Sequence, residues 1–181
     1  MTMKTLVIGL GNPILTDDGV GIYTARAVRR LLPADAPVDV AELAVGGLGL
    51  MEAMVGYERA ILVDALWSLP DETGEVLQFD AGRLPETLNS ASSHDVDLPT
   101  ALRIGRELGA PLPADDQIQI VAIRANDVLE FGDEPTPPVR AAIPEAVAAV
   151  LNLLGCAPAE GLLENLNSAL PTLIGGFDDL P

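Results

Sequence analysis

The strongest constraint on this chain is an alternation, repeated from end to end, between short β-branched runs and longer segments with helical spacing. Thr5–Gly9 reads as a buried strand that stops at glycine. Val20–Leu32 reads as a helix, with Arg26, Arg29 and Arg30 toward the end where cations oppose the carbonyl end of the dipole, and Pro33 and Pro37 beyond it. Val38–Ala44 is a second strand, followed by Gly46-Gly47-Leu48-Gly49 and a helix through about Val55. Ala60–Asp64 is a third strand, apolar until its last residue, which suits a central parallel strand covered on both faces. Glu75–Phe79 and Ile118–Ile123 supply a fourth and a fifth strand. Between them lies a helix over Asp97–Leu108, with Asp97 as N-cap and Pro99 in its first turn. Pro138–Leu154 closes the series, with a kink or restart expected at Pro144.

Strands alternating with helices predict an α/β fold: a single three-layer domain, its sheet mostly parallel and of about five strands, with helices on both faces. The domain is expected over 1–154. Residues 155–181, with Pro158, Pro171, Gly175-Gly176 and Asp178-Asp179, read as a tail, partly helical around Leu162–Leu166. At 181 residues with 49% apolar composition the chain can bury a core, and with 3% aromatics that core must be aliphatic. Ten Lys and Arg against 27 Asp and Glu leave a net charge of −17, which speaks against nucleic-acid backbone or an anionic membrane as partner. The opening residues lack the long apolar core of a signal peptide, and no stretch approaches the ~20 apolar residues of a membrane span. A cytoplasmic location is expected. A single cysteine, Cys156, rules out an intrachain disulfide and a cysteine-rich zinc site.

In an open parallel sheet, ligands bind beyond the carboxyl ends of the strands. That rule selects few residues: Gly9 to Gly21 after the first strand, Asp64 at the end of the third, and the loop Asn89–Asp95 with the only histidine, His94. Gly9-x-Gly11 after a strand invites a dinucleotide reading, but the third glycine of that fingerprint falls on Ile14, and acids stand where a pyrophosphate would approach. A tight turn explains both glycines as well. Capping explains Asp17 or Asp18 taken singly. Asp64 resists such an explanation, because a carboxylate ending the run Ile61-Leu62-Val63 must be solvated, hydrogen-bonded or bound to something. His94 alone is an ordinary loop histidine. Converging with Asp18 and Asp64, it would give two oxygen ligands and one imidazole with open positions, a set suited to zinc or nickel.

Three motifs in this order resemble those of the nickel–iron hydrogenase maturation proteases. They are Gly9-Leu10-Gly11-Asn12 through Thr16-Asp17-Asp18-Gly19-Val20-Gly21, then Leu62-Val63-Asp64-Ala65, then Ser93-His94. The resemblance runs from Met3 to about Leu154. It implies an endopeptidase that removes a short C-terminal extension from the large-subunit precursor of a hydrogenase after nickel insertion. It also implies that Asp18, Asp64 and His94 are the metal-contacting and catalytic residues. The nickel would belong to the precursor. Asp17, Gly46 and Gly47 are substrate-contact candidates, and Val45 and Leu48 stand where some members have an acid and a threonine, which suggests a different hydrogenase class as substrate. Two alternatives compete with this resemblance: a peptidyl-tRNA hydrolase, whose opening also reads Gly-Leu-Gly-Asn-Pro after a strand, and a non-catalytic metal- or nucleotide-sensing module. The first needs a histidine where this chain has Asp17-Asp18-Gly19-Val20, and a basic surface for tRNA.

Overall fold

The computed structural model describes residues 3–84, 97–132, 134–156 and Leu166. Five strands, β1 (Thr5–Leu10), β2 (Val38–Leu43), β3 (Arg59–Trp67), β4 (Val76–Asp80) and β5 (Ile118–Ala125), form one sheet in the order β2-β1-β3-β5-β4. Every pairing is parallel except that of the edge strand β4 with β5, which is antiparallel. Four helices accompany them: α1 (Val20–Leu31), α2 (Gly47–Ala53), α3 (Leu98–Glu107) and α4 (Pro137–Leu153).

The period-2 geometry of the strands divides the core in two. Val7, Ile61, Val63, Val121 and Ile123 face one way and pack with Val20, Tyr23 and Val28 of α1 and with Ile143, Val147 and Val150 of α4. Their neighbours Leu6, Ile8, Leu10, Leu62 and Ile120 face the other way, onto Leu50 and Met51 of α2 and Leu102 of α3. This is the three-layer arrangement the sequence predicts. Leu166 is buried in the α1–α4 layer; 157–165 and 167–181 lie outside the described residues.

Local chemistry accounts for the helix ends. Asp97 caps α3 by accepting the Thr100 N–H at 2.8 Å. Arg26 and Arg29 of α1 both reach Glu42 of β2, at 3.0 and 2.8 Å, locking that helix to the edge of the sheet. Two expectations need correction. Pro144 does not restart α4: one helix runs continuously from Pro137 to Leu153. The proline deprives the Arg140 carbonyl of its usual partner, and burial of Pro144 among Ile143, Ala146 and Val147 offsets the loss. Nor does β3 end at Asp64. It continues to Trp67 because β5 stays paired with it from Asp64↔Ala122 to Trp67↔Ala125, whereas pairing with β1 stops at Gly9↔Val63.

Asp64 is therefore the first residue of β3 that has lost its β1 neighbour. The chain leaves β1 toward β2 through α1 on one face and returns toward β3 through α2 on the other. The seam between β1 and β3 is thus the topological switch point, where a crevice opens at the carboxyl ends of the strands.

Candidate active site

The first turn of α1 sits directly on that seam. A side chain at Gly21 would place its Cβ 2.3 Å from the carbonyl oxygens of both Leu10 and Val63, and one at Gly9 would lie 2.4 Å from the Gly21 oxygen. The glycines let helix and sheet approach at backbone distance. Gly11, at φ +124°, turns the chain out of β1, and a Cβ there would meet the Asp18 carbonyl. This spacing draws Asp18, three residues ahead of Gly21, to the end of β3. The Gly-x-Gly element serves close packing, as the tight-turn reading of the sequence has it.

Asp18 is half-buried, and its Oδ2 accepts the Asn12 N–H at 2.6 Å. Asn12 in turn accepts the Ile14 N–H on its side-chain oxygen, and Tyr23 donates its hydroxyl to the Pro13 carbonyl. The loop carrying Asp18 is fixed from several sides. Burial raises the Asp18 pKa, and the Asn12 N–H opposes that shift. Asp64 is also half-buried, and its Oδ1 accepts the N–H of Ala65 at 2.8 Å. Burial pushes its carboxyl up to about 7; the Ala65 N–H pulls the other way, and the negative charge of Asp18 adds to the rise. Among the described residues neither carboxylate forms an ion pair. Two carboxylates at a partly desolvated rim, one of them raised further by the charge of the other, form a site that lowers its free energy by accepting a cation or sharing a proton.

Of the predicted site residues, the structure brings Asp18 and Asp64 together. His94 lies outside the described residues. Gly46 is exposed ahead of α2, at the same rim, while Gly47 is buried with φ +38°. Asp17, expected among the substrate contacts, is fully buried and spent on the protein itself. Its Oδ1 accepts the Thr136 N–H at 2.7 Å, and its Oδ2 accepts the Thr136 hydroxyl at 3.1 Å and the Asp127 N–H at 3.3 Å. Its own N–H donates to the Asp127 carbonyl. Asp17 thus ties the Asp18 loop to the start of α4. Asp17→Ala would strip two part-buried amides and a hydroxyl of their acceptor, and is expected to cost about 2–4 kcal/mol of stability in urea unfolding. A loss under about 1 kcal/mol would show that the clamp is dispensable. The capping reading of Asp17 or Asp18 is corrected here, since Gly19 occupies the N-cap of α1 and no side chain caps it; sequence reasoning missed Thr136 and Asp127 because nothing local links them to Asp17.

Comparisons with known proteins assign the family. The family model described as "Hydrogenase maturation protease" matches residues 22–153. The chain belongs to the hydrogenase maturation protease family. Among curated relatives it is similar to the hydrogenase expression/formation protein HupD of Rhizobium leguminosarum bv. viciae, 23% identical over 152 residues, which span 83% of this chain and 74% of HupD. Among solved structures it is similar to the hydrogenase maturating endopeptidase HybD of Escherichia coli, with a TM-score of 0.70, 27% identity, and coverage of 84% of this chain and 93% of HybD. A nickel–iron hydrogenase maturation protease of Thermococcus kodakarensis aligns with a TM-score of 0.63 and 27% identity, over 84% of this chain and 99% of its own. Membership in the maturation proteases sets the chain apart from the peptidyl-tRNA hydrolases whose opening motif it shares. The matched span holds Asp64 and begins just after Asp18. Among the described residues no helix is long and apolar enough to cross a membrane.

Proposed function

We propose that this hydrogenase maturation protease is an endopeptidase that shortens the C-terminus of a nickel-loaded hydrogenase large-subunit precursor, reading the nickel through Asp18, Asp64 and His94. The observation that carries the reading is the Asp18–Asp64 pair: two neighbouring half-buried carboxylates with raised pKa values, neither paired with a Lys or Arg among the described residues. Such a pair is held ready for a positive charge that arrives with the substrate. A metal already seated in the precursor supplies that charge, and His94 would add the imidazole that favours nickel over a hard cation such as magnesium. The metal is then part of the substrate, and the site inspects it.

Docking at this rim would fix the scissile peptide beside the two carboxylates and convert an encounter into positioned attack. A carboxylate oxygen that the metal leaves free can serve as general base, and Asp64, at the rim, is placed to take a proton from the attacking water. The water oxygen bonds to the carbonyl carbon, the carbon–nitrogen bond breaks, and the proton passes to the departing amine. The products are a new carboxylate terminus and a free peptide.

The test is incubation of the purified chain with nickel-loaded and nickel-free precursor, followed by intact-mass measurement. Loss of a fixed C-terminal mass from the loaded precursor alone is expected. Equal shortening of both forms would overturn nickel inspection, and shortening of neither would overturn the protease reading.

A further inference from the structure

The rim around Asp18 and Asp64 carries an apolar surface that the fold does not use. The single tryptophan of the chain, Trp67, is 63% exposed, and Phe131, one of only three phenylalanines, is 82% exposed. Leu129 is 80% exposed and Ile14 is 48% exposed. Scattered exposed leucines are ordinary, but large aromatics gathered on one surface mark an interface, and Trp and Phe are favoured anchors there.

These residues adjoin one another through the backbone. Thr16 donates its N–H to Glu130 at 2.9 Å and Gly132 donates to Ile14 at 3.2 Å, which pairs the Asp18 loop with the segment carrying Leu129 and Phe131. Ser68, beside Trp67, donates its N–H to Ala125 at 2.9 Å, and the Asn126 side chain donates to the Ser68 carbonyl at 2.9 Å. The result is one backbone-linked collar running from Ile14 through Phe131 to Trp67 at the carboxyl ends of the strands, the end of the sheet where Asp18 and Asp64 also lie.

The charge on this collar has one sign. All ten Lys and Arg of the chain lie among the described residues. Lys4 and Arg59 flank the opposite, amino-terminal ends of β1 and β3. The cations nearest the collar are already neutralised: Arg124 is held by Glu72 and Glu75, and Arg140 by Glu134. Asp71 and Glu130, by contrast, are exposed carboxylates that make no ion pair with any described residue. An acidic apolar surface without a free cation complements a partner that offers apolar side chains next to positive ones.

We propose that this collar is the docking surface for a polypeptide segment in which apolar side chains alternate with Lys or Arg, the segment of the precursor flanking the scissile bond. The assignment to the precursor rests on the protease reading; the chemistry of the segment rests on the collar alone. Trp67, Leu129 and Phe131 act as anchors, and Asp71 and Glu130 select against acidic sequences.

Two measurements decide it. In the first, the double variant Leu129→Ser/Phe131→Ser is compared with wild type on the nickel-loaded precursor. KM is expected to rise at least about tenfold with kcat within about twofold, and with an unchanged melting temperature because both side chains are already in solvent. Leu108→Ser is the control: Leu108 is equally exposed but lies at the end of α3, near Pro111, which bonds Gly56 ahead of β3. Its KM should not move. An unchanged KM in the double variant overturns the proposal. The second measurement is fluorescence anisotropy of wild type with a labelled Leu/Lys-alternating peptide and its Leu/Glu counterpart. Binding of the first at least about tenfold tighter, lost in the double variant, supports the collar even if the precursor is not cleaved. Equal binding of both peptides overturns it, as does concentration-dependent dimerisation that the double variant abolishes, since the collar would then serve a second copy of this chain.

Discussion

Asp64→Asn is expected to abolish precursor processing, by at least about a thousandfold in kcat/KM, while making the protein more stable at neutral and alkaline pH. The carboxyl of Asp64 is pushed up to about 7 from an ordinary value of 3.8, chiefly by burial, with Asp18 contributing. The native chain therefore retains a proton between about pH 4 and pH 7 that the unfolded chain has already released. Stability linked to this group is whole below about pH 4, declines as pH climbs through that window, and is lowest above about 7. A shift of this size corresponds to about 2–4 kcal/mol. Asparagine keeps the shape and carries no charge, so the variant should unfold at higher urea than wild type at pH 8, with the gap closing toward pH 4. A variant that processes the precursor at the wild-type rate would remove Asp64 from the chemistry. A gap that is independent of pH would mean its carboxyl is not held neutral.

Gly21→Ala is expected to destabilise the protein strongly. Its Cβ would lie 2.3 Å from two main-chain oxygens, Leu10 and Val63, which belong to the two central strands and cannot rotate away. Helix α1 would have to lift from the β1–β3 seam, at a cost of about 3 kcal/mol or more, since overpacking against backbone has no cheap relaxation. Urea unfolding measures the loss. The same lift would separate Asp18 from Asp64, so the Asp64 titration should fall toward the ordinary carboxylate range, readable by carboxyl NMR. A variant of wild-type stability would show that the seam is looser than its distances imply.

The elements were legible in the sequence because their periodicities are strong and their punctuation is unambiguous. Asp97 caps α3 where its position before Leu98-Pro99 demands, and the alternation in β1, β3 and β5 divides cleanly between the two faces. Asp64 was legible for a similar reason, as an acid closing an aliphatic run. The true length of β3 was not, because it depends on which neighbour persists: β5 continues to Trp67 where β1 has already departed. The antiparallel edge strand β4 was hidden too, since a five-residue strand carries no mark of its direction. Asp17 misled because adjacent acids look equivalent in a sequence, whereas a single step along the loop turned one into the protein and the other toward the rim. The collar was invisible for a different reason. Nothing in the sequence marks Trp67 or Phe131 as surface residues; only their exposure in the fold does.

The Asp17–Thr136 tether has a consequence in time. Its partners are separated by 119 residues, so the nascent chain presents Asp18 long before it has made the latch that holds that loop in place. A polypeptide arrested before Thr136 would own both acids and still lack a rigid mouth. The latch on the Asp18 loop therefore closes only once synthesis has reached the start of α4.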